Sequence, residues 1–237
     1  MAEPLEIDGS ILEGGGQILR TSVALSAITG KPVTVSNIRA RRNPPGLRFQ
    51  HLAAIKAVAQ LSDAEVEGLE IGSSQVRFKP RNVKSGSFKI EVGTAGSVTL
   101  ILQALSPVAA FAPGPVELEL SGGTNTKWSP PVEYVQQVLL PTLRHMGFEG
   151  SVETVRRGFY PEGRGIVKAA FKPVEALKPI EIVEEARVLK VRGLAYSCRL
   201  PKHVAERMAR AAGKLLEQAG YPAEIHVESL QQENSSC

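Results

Sequence analysis

Between Glu13 and His51 the chain gathers three consecutive glycines, a carboxylate and five arginines (Arg20, Arg39, Arg41, Arg42, Arg48) around two short turns, EGGGQILR and RARRNPPGLRFQH. A glycine run that opens a helix lets backbone N–H groups approach an anion with no Cβ in the way. Arginines beside such a turn present planar forks that match phosphate oxygens. The pair of turns therefore reads as a polyphosphate site. A solvated surface loop is the ordinary alternative for the arginine run, and a structural ion pair is the alternative for Glu13 and Arg20. Each turn follows a strand and precedes a helix, and tips of that kind carry the ligand sites of layered α/β folds. EGGGQILR is not a Walker loop, since no Gly-Lys-Ser/Thr follows, and it does not fit G-x-G-x-x-G. Glu13 can position a divalent ion that bridges phosphates.

Other chemistry is sparse. His51, beside the arginines, is the only histidine with a case for standing near a ligand. His145 reads as a cap or packing residue, His203 begins a helix and His226 lies in a strand. No Ser/His/Asp or Cys/His arrangement and no metal-ligand spacing can be defended. SGGTNTKWSPP, which holds the chain's single Trp, is a glycine-turn loop that suits either part of a pocket or a plain connection.

The elements that must position these groups follow from periodicity. LEID is a short strand, and residues 16–29 form a mostly buried helix that ends at Gly30. On its wheel Glu13, Gln17, Arg20, Ala24 and Ala27 share one side, opposite Ile18, Leu19, Val23, Leu25 and Ile28. KPVTVSNIRA is a strand, a helix runs from the Pro44–Gly46 turn to Leu61, and AEVEGLEIG and QVRFKP are paired strands. The order then returns: SFKIEVG, the helix of TAGSVTLILQALSPVAAFA, GPVELELSGG, a helix over PPVEYVQQVLLPTLRHMG that Pro141 should kink, then SVETVRRGFYP and GRGIVKAAFKP. FKP closes both units, at 78–80 and 171–173. The expected fold is α/β of the α+β type, with tandem strand-helix-strand-helix-strand-strand units at 1–80 and 81–177. Residues 178–237 read as the incomplete start of a third unit or a smaller inserted domain. There, IEIVEEARVLKVRGLAYS supplies one long or two short strands. The amphipathic helix Pro201–Ala219 turns Val204, Met208, Ala212, Leu215 and Ala219 inward, AEIHVESL is a strand, and QQENSSC is a polar tail.

With 237 residues and 43% hydrophobic content the chain can bury a proper core. Its net charge of +4 suits an anionic partner without requiring one. Two cysteines make no disulfide framework, which points to a reducing, intracellular compartment. MAEPLEIDGS lacks the regions of a signal peptide, and no apolar run approaches the ~20 residues of a membrane span.

In order and spacing, DGSILEGGGQILR, IRARRNPPGLRFQHL, GTAGSVTLILQ, SGGTNTKWSPP and RRGFYPEGRG resemble the motifs of RNA 3′-terminal phosphate cyclases. The resemblance implies a large domain of repeats like the C-terminal domain of translation initiation factor three, akin to the enolpyruvyl transferases, with a smaller domain inserted in the third repeat. It also implies ATP-dependent conversion of an RNA 3′-phosphate to a 2′,3′-cyclic phosphate through adenylylated intermediates, with a divalent metal (Mg or Mn). Carried over residue by residue, Arg20, Arg39 and Arg42 look like the phosphate-binding arginines and Glu13 like the metal-associated carboxylate. Gln17 and Gln50 look like supporting residues, Gln103 like a nucleotide contact and Pro130 like one wall of the adenine slot. Implied partners are ATP and RNA 3′-phosphate ends, in the cytoplasm (nucleoplasm in a eukaryote), with no membrane role and oligomerisation left open.

Two departures stand out. Arg164 occupies a turn position where the family usually has glycine, which touches only local loop geometry. The family's adenylated histidine, in a His-x-x-x-Asn-like C-terminal motif, has no match among the four histidines here. The alternative reading is a non-catalytic RNA-binding relative of the kind that assists ribosome assembly. Those relatives lose the glycine-glutamine-arginine turn, which is intact here. An enolpyruvyl-type transferase would rest on fold analogy alone. The expectation from the missing motif is direct: this chain, given ATP labelled at the α-phosphate, forms no stable covalent adduct. Recovery of a labelled histidine peptide would overturn it.

Overall fold

The computed structural model describes residues 3–93 and 95–231. Thr94 of the second glycine turn and the polar tail after Gln231, with Cys237, lie outside the described residues. The chain divides into two compact units, Met1–Pro179 and Ile180–Cys237.

In the first unit, β1 (Leu5–Asp8), α1 (Gly16–Thr29), β2 (Val33–Ser36), α2 (Phe49–Ser62), β3 (Glu65–Glu67) and β4 (Val76–Lys79) build a sheet ordered β1-β2-β4-β3. The chain then forms β5 (Gly86–Glu91), α3 (Val98–Ala110), β6 (Val116–Gly122), α4 (residues 132–145), β7 (Gly150–Arg156) and β8 (Gly165–Phe171), with a second sheet ordered β5-β6-β8-β7. The two sheets share one connectivity. In each, the first two strands are parallel across a helical crossover and the other two pairings are antiparallel.

Local sequence explains the ends. Gly15 is the N-cap of α1 and supplies no side-chain cap, and Gly30 ends the helix at φ 69°, where a Cβ is disfavoured. Ser97 caps α3 by accepting the Leu100 N–H. α4 departs from the expected proline kink. It is α-helical at Val132–Tyr134, π-helical at Val135–Leu139 and α-helical again at Leu140–His145, with the Leu140 N–H bonded to the Val135 carbonyl. A wide turn just ahead of Pro141 absorbs the irregularity.

Helices α1, α2 and α3 pack on one another, and a single apolar cluster runs through both sheets, with Val23, Ile55, Val58, Ile101, Leu105 and Leu120 wholly buried. The wheel of α1 needs correction. Arg20, Ala24 and Ala27 are buried, whereas Leu25 is exposed. Glu13 lies outside the helix altogether, because α1 begins at Gly16.

In the second unit β9 (Val191–Cys198) and β10 (Ala223–Leu230) pair in parallel along their full length, joined through α5 (His203–Gln218). The strand expected over residues 180–190 does not form. That stretch is exposed and holds Glu181, Glu184 and Glu185 with no ladder partner among the described residues. The buried side of α5 also differs from the expected one. Ala205 is fully covered and Ala209, Ala212 and Leu216 partly so, while Met208 and Leu215 are exposed. Small alanines let the helix lie close to a sheet of two strands, which leaves the larger side chains outside. No helix among the described residues is long and apolar enough to cross a membrane.

Because Ile55 sits where α2 meets the shared core, Ile55→Ala should cost about 3 kcal/mol in urea unfolding. Met208→Ala, on the open side of α5, should cost under about 1 kcal/mol. Similar small losses at both positions would mean that the three helices do not share one core.

Candidate functional site

The parallel pairing of β1 and β2 brings the two conspicuous turns together. Asp8 lies opposite Ser36, so the chain leaves both strands at one edge. There the Gly9 N–H donates to the Ser36 carbonyl at 2.7 Å. Asp8 Oδ1 accepts from the Ser10 N–H at 2.9 Å and from Asn37 Nδ2 at 3.2 Å. These bonds hold its carboxyl below the usual range, the Ser10 backbone contributing most. From β1 the chain delivers three glycines to the start of α1, and from β2 it carries the arginines. The second turn closes where the Gly46 N–H meets the Ile38 carbonyl at 3.0 Å, and wholly buried Leu47 anchors it.

Each arginine has a definite posture. Arg39 donates through Nη1 to the carbonyls of Pro44 at 2.7 Å and Gly46 at 3.0 Å, so it also braces its own turn. Arg41 Nη1 reaches the Leu12 carbonyl at 3.3 Å. Arg42 Nη2 pairs with Glu13 Oε2 at 2.8 Å, an exposed bridge worth under about 1 kcal/mol. Arg20 differs from these. It is only 8% exposed, its Nη2 donates to Gln103 Oε1 at 3.3 Å, and its buried Nε has no partner.

His51 completes the cluster. Its Nδ1 accepts the Arg48 N–H at 3.1 Å, so in the neutral ring the proton sits on Nε2. That nitrogen lies against Gly16, where a Cβ would overlap it. Burial, then the charges of Arg39, Arg20 and Arg48, push the imidazole down to about 4. Burial likewise lowers Arg20, and burial with Arg48 and Arg42 lowers Arg39. Cations that lower Arg39 and His51 in this way, with the Glu13 carboxylate engaged by Arg42 and Asp8 by Ser10 and Asn37, make a site short of free negative charge. The N–H groups that open α1 favour negative charge in the same sense.

The amides and Pro130 belong to the neighbouring face. Gln50 clamps Ser97 by two bonds, Nε2 to its carbonyl at 3.0 Å and its N–H to Oε1 at 2.9 Å. Ser97 Oγ meets Thr99 Oγ1 at 2.7 Å, and Thr99 donates to the Pro130 carbonyl at 2.8 Å. One hydrogen-bonded line thus ties α2 to the loop after β6. A cleft of about 550 Å³ opens beside it, lined by Gln50, Ala95, Asn125, Thr126, Lys127 and Tyr160.

Of the expected site residues, Arg20 and Gln103 are joined directly, as are Glu13 and Arg42, and the charges of Arg39 and Arg20 both act on His51. Gln17 is exposed on the first turn of α1 and Pro130 is exposed after β6, with no direct bond from either to the arginines. The bond from the Arg48 N–H to His51 Nδ1, and with it the orientation of the ring, escaped the sequence reading. The usable signal was their spacing of three residues at a helix start, where a side chain can meet the cap N–H. Among the described residues no group of three or more His, Cys, Asp or Glu is arranged to hold a metal ion.

Comparison with known proteins agrees in one direction. The family model described as "RTC: RNA 3′-terminal phosphate cyclase" matches residues 11–233. An RNA 3′-terminal phosphate cyclase of Hyperthermus butylicus is 54% identical over 225 residues, 94% of this chain and 63% of that protein. One of Methanopyrus kandleri is 53% identical over 226 residues, 95% of this chain and 64% of that protein. The chain thus spans a little under two thirds of the length of these curated relatives. Among solved structures, an EPSP synthase from Acinetobacter baumannii aligns at a TM-score of 0.43 and 13% identity, covering 75% of this chain and 32% of that one.

The electrostatics make a pH prediction. The folded imidazole of His51 titrates near 4, below its ordinary 6.5, so as pH falls the unfolded chain takes up the proton first. The stability this contributes, roughly 3 kcal/mol, is present above about pH 6.5 and is lost between there and pH 4. Proton NMR should find the His51 ring titrating near 4 in the free chain and markedly higher with inorganic pyrophosphate bound. A ring that titrates near 6.5 and ignores pyrophosphate would contradict the clustering of charge around it.

Proposed function

The chain belongs to the RNA 3′-terminal phosphate cyclase family, and on that premise we propose that it serves the ATP-dependent conversion of an RNA 3′-phosphate to a 2′,3′-cyclic phosphate. One observation carries the reading. Arg20, Arg39, Arg48 and His51 crowd the glycine-entered start of α1 with too little negative charge among them. A triphosphate or a terminal phosphomonoester supplies what is missing.

In this proposal the chemistry runs in three displacements. A nucleophile bonds to the α-phosphorus of ATP as the bond to the β-phosphate bridge breaks, which releases pyrophosphate and leaves a covalent AMP adduct. An oxygen of the RNA 3′-phosphate then bonds to that AMP phosphorus as the bond to the nucleophile breaks. The adjacent 2′-OH attacks the RNA 3′-phosphorus, loses its proton and expels AMP, a far better leaving group than oxide. Guanidinium groups aimed at the phosphoryl oxygens stabilise the charge that develops in each step. Arg20, Arg39 and Arg42 take this role, with Arg48 and the Nε2–H of His51 beside them. Gln103 orients Arg20 and touches the nucleotide, Pro130 lies along the adenine, and Gln50 and Gln17 support the site.

A divalent ion, Mg or Mn, would supply positive charge beside the phosphates. Glu13 is the carboxylate able to hold it. Since its Oε2 is paired with Arg42, the protein offers no cage, and the ion fits only with phosphates as its other ligands. The nucleophile that carries AMP is assigned to none of the histidines here. His51 has one nitrogen engaged by the Arg48 N–H, and His145, His203 and His226 are exposed on other elements. We read residues 1–80 and 81–177 as repeats of one unit and residues 178–237 as part of a third unit or of a smaller inserted domain. The role in this proposal is RNA processing, in the cytoplasm or, in a eukaryote, the nucleoplasm.

Arg20→Met separates binding from folding. It removes a desolvated cation whose Nε has no partner while keeping most of the side-chain volume. ATP affinity by calorimetry should fall about tenfold to a hundredfold, the loss of a charge-assisted bond. The melting temperature should rise by a few degrees, as removal of a desolvated cation allows. Unchanged affinity, or a lower melting temperature, would count against a phosphate-binding Arg20.

A further inference from the structure

The chain's single tryptophan stands in water. Trp128 is 90% exposed at φ 67°, a posture that neither packing nor backbone preference recommends. Its turn is nevertheless built firmly. Thr126 Oγ1 meets Ser129 Oγ at 2.6 Å, Ser129 Oγ donates to the Thr126 carbonyl at 2.9 Å, and the Val132 N–H reaches the Thr124 carbonyl at 3.2 Å. A second loop is braced against it. The Thr124 N–H donates to the Gly158 carbonyl at 2.9 Å, and the Gly158 N–H returns to Thr124 Oγ1 at 3.1 Å. This loop buries Phe159 and presents its neighbour Tyr160, 80% exposed. Two hydrogen-bonded loops therefore each hold an aromatic ring out of the core.

What lies between them is polar and incomplete. Tyr160 and Lys127 line the cleft that also includes Gln50. Lys127 Nζ sits 5.2 Å from the centre of the Trp128 ring, a cation over one face. Asn125, in the same wall, has a buried Oδ1 with no hydrogen-bond partner. An unsatisfied buried acceptor calls for a donor from outside. The cleft thus offers the Tyr160 ring, one cation and one acceptor, with the Trp128 ring beside it against Lys127, the set that single-stranded nucleic acid uses: bases on aromatic rings, phosphodiester near lysine, and an amide for a base amino group or a 2′-hydroxyl.

Resting on the cyclase reading, we propose that Trp128, Tyr160, Lys127 and Asn125 form the docking surface for the terminal nucleotides of single-stranded RNA. The bases stack on the exposed rings and the strand runs past Gln50 toward the arginine cluster. ATP is the competing source of a nucleobase. A single lysine suits a phosphodiester strand, whereas the triphosphate has the arginines, with Pro130 and Gln103 for its nucleoside.

As the chain's only indole, Trp128 reports on itself. Its emission is followed while the 237-residue chain is titrated with a 3′-phosphorylated single-stranded oligoribonucleotide and, separately, with ATP. RNA should quench the emission and ATP should leave it unchanged. Trp128→Ala and Tyr160→Ala should each weaken RNA binding about tenfold by anisotropy without changing ATP affinity, and Trp128→Phe should recover most of the loss. RNA that binds without altering the emission, or quenching by ATP alone, overturns this docking surface and leaves the cyclase reading standing. Failure to bind either RNA or ATP overturns both.

Discussion

A guanidinium taken out of water beside other cations is the constraint around which the first unit is arranged. Arg20 is buried among helices with one weak amide bond and an unpaired Nε, and the charges of Arg39, Arg20 and Arg48 converge on His51. Left alone, such a cluster works against folding. It persists because the surrounding contacts over-determine it. Leu47 and the α1–α2–α3 core are fully packed, and Gly16 leaves room for the His51 ring where any side chain would displace it. Repulsion held in that way, at the positive end of a helix, is what an anion of high charge would relieve.

Sheet topology accounts for the convergence. In both four-stranded sheets the first two strands run parallel and release their following turns at one edge. The first sheet sends glycines and arginines from that edge. The second sends the Gly93–Ser97 turn and the Thr124–Pro130 loop, and Gln50 stitches the two together through Ser97. In the proposed function, phosphate recognition and base recognition fall to different copies of the same arrangement. The hydrogen-bonded line from Gln50 to Pro130 keeps their spacing fixed.

Much of this was legible in order along the chain. Gly30 as a stop, β-branched Val33–Val35 as a strand and Gly14–Gly16 as a helix entry are local properties, and each element formed where its residues indicated. Long-range partnership was not legible. Nothing local tells that Arg20 will meet Gln103, 83 residues away, or that Arg39 will spend Nη1 on its own turn. The exposure of Met208 and Leu215 depends on how little sheet lies under α5, and the missing strand at 180–190 on the lack of a pairing partner. The prominence of Trp128 could be suspected from its loop, but its exposure depends on the bracing of Thr124 by Gly158.

The reading stands or falls on whether the cluster at α1 wants phosphate before it wants a nucleoside. The direct measurement is the melting temperature of the chain with saturating inorganic triphosphate and, in parallel, with adenosine at the same concentration. A rise of several degrees with triphosphate and little change with adenosine is the expected result, since a ligand that binds only the folded state stabilises it by mass action. Stabilisation by adenosine with none from triphosphate would contradict the reading.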